Sequence, residues 1–152
     1  MATLFLICGL PGSGKTTLAK QLEASRPALR LCPDEWITSL LADVTDTVEM
    51  DSLRTPIESV QWEVAKRSLI LGVDVILENG FWSREERFSY RSQAEALGAR
   101  AKLIYLNVDR DELWARLSKR NADLPPGTFH VREDQLDLWL TWFEPPTADE
   151  LE

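Results

Sequence analysis

Leu4-Phe5-Leu6-Ile7-Cys8-Gly9-Leu10-Pro11-Gly12-Ser13-Gly14-Lys15-Thr16-Thr17 decides the fold. An apolar run of strand length feeds a glycine-rich turn, and Leu18 and Leu22 then recur at helical spacing. Gly9 to Thr16 fits G-x-x-x-x-G-K-[ST], with a strand readable before it and a helix after it, the context a P-loop requires. In such a loop, glycines let the backbone turn so that successive N–H groups point at phosphate oxygens. The start of the following helix adds the positive end of its dipole. Gly9, Leu10, Pro11, Gly12, Ser13, Gly14, Lys15, Thr16 and Thr17 are therefore the candidate nucleotide-binding residues. Lys15 is expected on the β- and γ-phosphates and the Thr16 hydroxyl on Mg²⁺. The chain reads as a binder of a nucleoside triphosphate.

Composition narrows the remainder. A chain of 152 residues fits one domain, 1–152, with a core of its own. At 44% hydrophobic and 28% charged it reads as a soluble globule. The apolar N-terminal run has no basic flank and leads straight into the loop, so it reads as a buried strand rather than a signal peptide. No stretch is long enough to span a bilayer, and a cytoplasmic location is expected. Cys8, Cys32 and the lone His130 have no metal-site spacing, and both thiols read as buried and reduced. A net charge of −8 argues against a broad nucleic-acid footprint while leaving room for a local arginine pocket.

Outward from the loop, strands and helices alternate. Strands are expected at 1–8, 28–32, 73–78 and 101–108, and helices at 14–25, from 33, 55–71, 83–97, 109–120 and 131–143. Thr55-Pro56-Ile57-Glu58 carries a helix-start signature: a capping residue, proline at the first position and an acid three after the cap. Residues 42–51 read as a loop or a frayed helix end. Ser83 with Glu86 and Asp109 with Glu112 form further capping pairs. The loop over 121–130 contains Pro125-Pro126-Gly127, and a lid is expected around 114–131. This alternation implies an α/β fold of parallel strands joined by right-handed crossovers; for a P-loop chain the expected form is a three-layer sandwich, a sheet of about four strands in order 2-3-1-4 with helices on both faces.

In such sheets, ligands lie beyond the carboxyl ends of the strands, and here those ends deliver Gly9–Thr16, Asp34, Glu78-Asn79 and Asp109 to one rim. Asp34 is a candidate general base for an acceptor hydroxyl, with helix capping as its other reading. Glu78, or Asn79 beside it, is the candidate metal partner of Thr16. Arg116 and Arg120 share a helix face and are candidate lid cations for the transferred charge; pairing with Glu112 or Asp123 is the alternative. Trp36 and Trp82 follow strand ends, where they line either an acceptor pocket or the core rim. Trp62, Trp114, Trp139 and Trp142 fall at core-like helical positions. Arg84, Arg87 and Arg91 read as a solvated face balanced by Glu85 and Glu86, with contact to an acidic substrate as the other reading.

The loop, the acid after the second strand, the Arg84-Glu85-Glu86-Arg87 helix start and Arg116-x-x-x-Arg120 together resemble P-loop kinases of the polynucleotide kinase type. The Phe143-Glu144-Pro145-Pro146 ending is similar to that of small bacterial predicted kinases described as AAA-type ATP-binding proteins. The resemblance covers almost the whole chain. It implies ATP with Mg²⁺, Asp34 as base and Arg116 and Arg120 as lid arginines. Polynucleotide kinases place a substrate-phosphate arginine shortly after the base, whereas this chain has Glu35-Trp36-Ile37. With the acidic charge, that departure turns the expectation towards phosphorylation of a hydroxyl on a small molecule. A 5′-hydroxyl polynucleotide kinase and a nucleotide-dependent switch with incidental hydrolysis are the alternatives.

Overall fold

The computed structural model describes residues 1–41 and 47–151. Its sheet contains β1 (Thr3–Cys8), β2 (Ala28–Leu31), β3 (Asp74–Gly80) and β4 (Arg100–Tyr105) in the order β2-β3-β1-β4. Every pairing is parallel. The helices are α1 (Lys15–Ser25), α2 (Pro33–Leu40), α3 (Thr47–Ile70), α4 (Arg84–Ala96), α5 (Arg110–Ala122) and α6 (Glu133–Trp142), and a 3₁₀ turn spans Ala148–Leu151. The architecture is the α/β sandwich expected from the alternation.

Because successive strand residues point to opposite faces, β1 builds two cores. Leu4, Leu6 and Cys8 pack with Trp62, Ala65 and Leu69 of α3 and Ala94 of α4. Phe5 and Ile7 pack on the other face with Ala19, Leu18 and Leu22 of α1. Burial on both faces explains why β1 is apolar throughout. Two smaller clusters fasten the rim. Leu10 joins Leu113, Leu117, Val131 and Leu136 of α5 and α6, while Ile37, Leu41, Ile57 and Phe129 tie α2, α3 and the α5–α6 loop together.

The structure corrects three expectations. Thr55-Pro56 does not begin a helix: Pro56 lies inside α3, which already runs from Thr47. Pro56 has no N–H to offer the Ser52 carbonyl, but Thr55 and Pro56 are exposed, so water can serve the freed carbonyl. The expected loop over 42–51 is thus helical from Thr47, and residues 42–46 lie outside the described residues. Second, the α4 arginines are not a solvated row balanced by neighbours on their own helix. Arg87 is only 3% exposed; its Nε donates to Glu150 Oε1 at 2.7 Å and its Nη1 to the Phe81 carbonyl at 2.8 Å. Arg84 pairs with Asp149, and Arg91 donates to the Glu150 carbonyl, so the acidic tail is clamped onto α4. Third, Trp142 is exposed rather than core. The Ser83 and Asp109 caps form as expected, each side chain accepting from the N–H of the glutamate three residues on. Both cysteines are free and buried.

Candidate active site

β1 ends at Cys8 and the P-loop wraps from Gly9 to the start of α1 at Lys15. Gly12 takes a φ of +86°, a region that disfavours side chains, and a Cβ there would sit 2.9 Å from Leu117 Cγ. The loop therefore has α5 packed hard against it. Lys15 Nζ donates to the Gly9 carbonyl at 3.2 Å and the Leu10 carbonyl at 3.1 Å, which holds the ammonium inside the loop. Burial pulls the Lys15 pKa below its ordinary value, and Asp34 and Glu78 oppose that shift. Ser13 Oγ is buried with no partner among the described residues, a polar atom kept within the cradle.

Thr16 Oγ1 donates to Glu78 Oε1 at 2.7 Å, so the end of β3 meets the start of α1 as the strand order requires. The other Glu78 oxygen accepts from Arg30 Nη1 at 2.7 Å. Arg30 also grips Glu35 through two bonds, of 2.5 and 3.0 Å. Glu78 is 5% exposed, and a buried carboxylate is costly without such partners. The same guanidinium holds the Glu35 pKa below the glutamate range. Cys32, Glu35 and Glu78 place ligand atoms within 4.8 Å of one another. Arg30 between the two carboxylates, and burial that pushes the Cys32 thiol up to about 12, suit an ion-pair node better than a metal thiolate.

Asp34 lies in the first turn of α2, where Cys32 is the N-cap, so its side chain is not occupied in capping. Its Oδ1 accepts from Arg54 Nη2 of α3 at 3.0 Å. Its charge reaches both Lys15 and Arg120. From α5, Arg116 Nε donates to Glu112 at 2.9 Å and Arg116 Nη1 to the Gly12 carbonyl at 3.4 Å. The expected lid arginine thus already touches the P-loop while keeping its local partner. Arg120 Nη2 donates to the Phe129 carbonyl at 3.2 Å, bracing the α5–α6 loop rather than Asp123. Gly127, with φ +78°, lets that loop meet α2: a Cβ there would lie 2.7 Å from Glu35 Cγ.

Lys15, Thr16, Asp34, Glu78 and Arg116 therefore converge on one rim, and Arg120 stands one turn behind Arg116. Asn79 points elsewhere: its Nδ2 donates to Tyr90 Oη at 3.3 Å. Trp82 Nε1 donates to the Gly9 carbonyl at 3.4 Å and its ring packs 5.8 Å from that of Trp139, so Trp82 supports the loop. Trp36 is 36% exposed, and His130 is exposed. Sequence reasoning missed Arg30 and Arg54. Arg30 was signalled by a lone charge inside the apolar run 28–32; Arg54 carried no signal, since the start of α3 was misplaced.

The AAA domain family matches residues 4–146. No curated protein sequence matches the chain. Among solved structures, Kti12 from Chaetomium thermophilum in complex with ADP-AlF3 aligns at a TM-score of 0.70 and 16% identity, covering 96% of this chain and 82% of that one. A sugar kinase from Janibacter sp. HTCC2649 aligns at 0.67 and 20% identity, covering 99% and 82%. A gluconokinase from Sinorhizobium meliloti 1021 aligns at 0.64 and 16%, covering 99% and 78%. At these identities the structures share a fold with this chain. With the family match running over nearly its whole length and the P-loop on its first strand, the chain belongs to the AAA domain family and has the fold of the P-loop kinases.

Proposed function

We propose that this protein is an ATP-dependent kinase that moves the γ-phosphoryl group to a hydroxyl of a small-molecule acceptor. One observation carries the reading: Arg116 reaches the P-loop at the Gly12 carbonyl while Asp34, unused as a cap, stands on the same rim. A hydrolytic switch has no need of a carboxylate placed for an acceptor proton; phosphoryl transfer to an alcohol does.

In this mechanism the loop amides and Lys15 hold the β- and γ-phosphates. Thr16 Oγ1 and Glu78 Oε1, 2.7 Å apart, are oxygen donors of the hard type Mg²⁺ prefers, with Glu78 acting directly or through a bound water. When bound there, Mg²⁺ neutralises phosphate charge. Asp34 orients the acceptor hydroxyl and takes its proton as the oxygen attacks the γ-phosphorus and the bond to the departing ADP oxygen breaks. Arg116 and Arg120 close over the equatorial oxygens, carried by a lid at 114–131 that moves with the α5–α6 loop. The sugar kinase and gluconokinase neighbours support a small-molecule acceptor. So does the net charge of −8, which opposes a polyanionic substrate.

The test is ATP consumption with Mg²⁺ across alcohols, sugars, nucleosides, aminoglycosides and 5′-hydroxyl oligonucleotides, comparing the native chain with Asp34→Asn. Turnover stimulated by one small-molecule class and lost in the variant is expected. Stimulation by oligonucleotides alone would move the chain to the polynucleotide kinases, and acceptor-independent turnover unchanged by Asp34→Asn would make it a switch.

A further inference from the structure

The Gly9 carbonyl is shared by two donors of different character. Lys15 Nζ donates to it at 3.2 Å and Trp82 Nε1 at 3.4 Å. Gly9 is buried, and no other donor meets its oxygen among the described residues. Lys15 also bonds the Leu10 carbonyl at 3.1 Å, but there the Ser13 N–H lies equally close, at 3.1 Å. The two carbonyls therefore differ in what remains once the ammonium leaves. Leu10 keeps a backbone donor, and Gly9 keeps only the indole.

Trp82 reaches Gly9 because the chain turns sharply after β3. Gly80 takes a φ of +85° and Phe81 a φ of +51°, and Phe81 is the only residue with a side chain at positive φ among those described. A bulky residue in that region is strained and must be held there by its surroundings. The Phe81 ring is fully buried, 5.2 Å from that of Tyr90. Its carbonyl accepts from Arg87 Nη1 at 2.8 Å and from Cys8 Sγ at 3.4 Å. On either side of it, the Gly80 carbonyl accepts from the Gly9 N–H at 3.0 Å and the Trp82 carbonyl from the Glu144 N–H at 2.8 Å. A Cβ on Gly80 would sit 3.0 Å from Trp82 Nε1 and 3.2 Å from the Gly9 oxygen, so no side chain fits between turn and loop. The turn is thus fixed at every residue, and what it presents to the P-loop is one N–H.

We propose that Trp82 is a positioning residue for nucleotide binding: it keeps the Gly9 carbonyl bonded when Lys15 turns from the loop to the phosphates. A buried carbonyl stripped of its last donor would raise the cost of that turn, and the indole N–H removes this cost. The proposal rests on the nucleotide half of the kinase reading, with Lys15 on the β- and γ-phosphates, and needs no acceptor.

Trp82→Phe keeps a flat ring beside Trp139 and removes the N–H. Benzothienylalanine in place of Trp82 keeps the shape of indole with sulfur where the N–H was, and so serves if the smaller ring disturbs folding. ADP binding with Mg²⁺ is measured by calorimetry on the full chain, titrated to millimolar nucleotide, for each substitution alone and combined with Lys15→Met. With Lys15 present, either substitution at Trp82 should weaken ADP on the order of 10-fold, as for a buried acceptor left unsatisfied. With Lys15→Met the same substitutions should cause no further loss, because no ammonium then leaves the carbonyl. A residue that merely shaped the loop would weaken ADP equally in both backgrounds. That equality, or an unchanged affinity with Lys15 present, would overturn the proposal. The two readings fail separately. Turnover that no acceptor stimulates, with the Trp82–Lys15 coupling intact, sinks the kinase reading alone. Acceptor-stimulated turnover lost in Asp34→Asn, without that coupling, sinks this proposal alone.

Discussion

Asp34 shows what a single position contributed to the reading. Its placement after the second strand was legible, since Pro33 had to open a helix there and the strand end had to face the P-loop. Its partner was not legible, because Arg54 lies in the stretch of α3 that precedes the helix start expected at Thr55-Pro56. With an arginine on one carboxylate oxygen, the other is left for an acceptor proton. Asp34→Asn should lower acceptor-stimulated turnover about 10²- to 10⁴-fold, the range for a lost acid–base group. Nucleotide affinity, read by fluorescence of bound ADP, should change little. Lys15 and Thr16 were legible as candidates because the P-loop pattern calls for an ammonium and a hydroxyl at those two positions. Glu78 was legible as a polar strand end, but its two tethers, Thr16 and Arg30, depend on register that no local pattern carries.

At the scale of elements, α5 has two tasks. Its Leu113 and Leu117 are fully buried beside Leu10, and its opposite edge sends Arg116 to the P-loop. Arg116→Ala should reduce turnover by about 10²- to 10³-fold, through kcat more than KM if the cation acts on the transferred charge. The α5–α6 loop rests on Glu35 at Gly127, and Glu35 is tied through Arg30 to Glu78. Gly127→Ala combines a disfavoured φ with a steric conflict at Glu35. It should destabilise the chain by about 1–2 kcal/mol in chemical denaturation and disturb turnover as well. The alternation of strands and helices and the Ser83 and Asp109 caps were readable because each follows from local periodicity or a spacing of three, while the sheet order came with the P-loop resemblance. The extent of α3 was not. Proline at a favoured starting position is also tolerated on the exposed face of a longer helix, and sequence alone does not separate the two cases.

For the molecule as a whole, the clamp between α4 and the residues around Glu150 replaces what looked like a solvated arginine row. Long-range pairing of this kind leaves no periodic trace. Glu150→Ala would strand the buried Arg87 guanidinium and should cost about 3–5 kcal/mol, measured by urea denaturation. Arg87 also holds the Glu150 pKa below its usual range, so this contribution is present above the ordinary glutamate pKa and fades as pH falls through the folded value. Glu58 acts in the opposite sense. Burial and the charge of Glu86 push it up to about 7, so the fold keeps a proton that the unfolded chain releases. Its contribution is complete below the ordinary glutamate pKa and is lost as pH rises towards 7. Stability should decline over that window in native chains. Glu58→Gln should flatten the decline and gain roughly 1 kcal/mol at pH 8, after allowing for partial solvent screening.

The proline within α3 also divides that helix in time. Without an N–H at Pro56, the turns from Thr47 to Thr55 join the remainder through fewer hydrogen bonds than an unbroken helix would supply. Trp62, Ala65 and Leu69 anchor only the part beyond it to the main core. Deuterium uptake should therefore be fast before Pro56 and slow after it, with the step at the proline itself. Each opening of the early turns would withdraw Arg54 from Asp34, so the partner on that carboxylate would come and go with the fraying of a helix that holds neither Asp34 nor the P-loop.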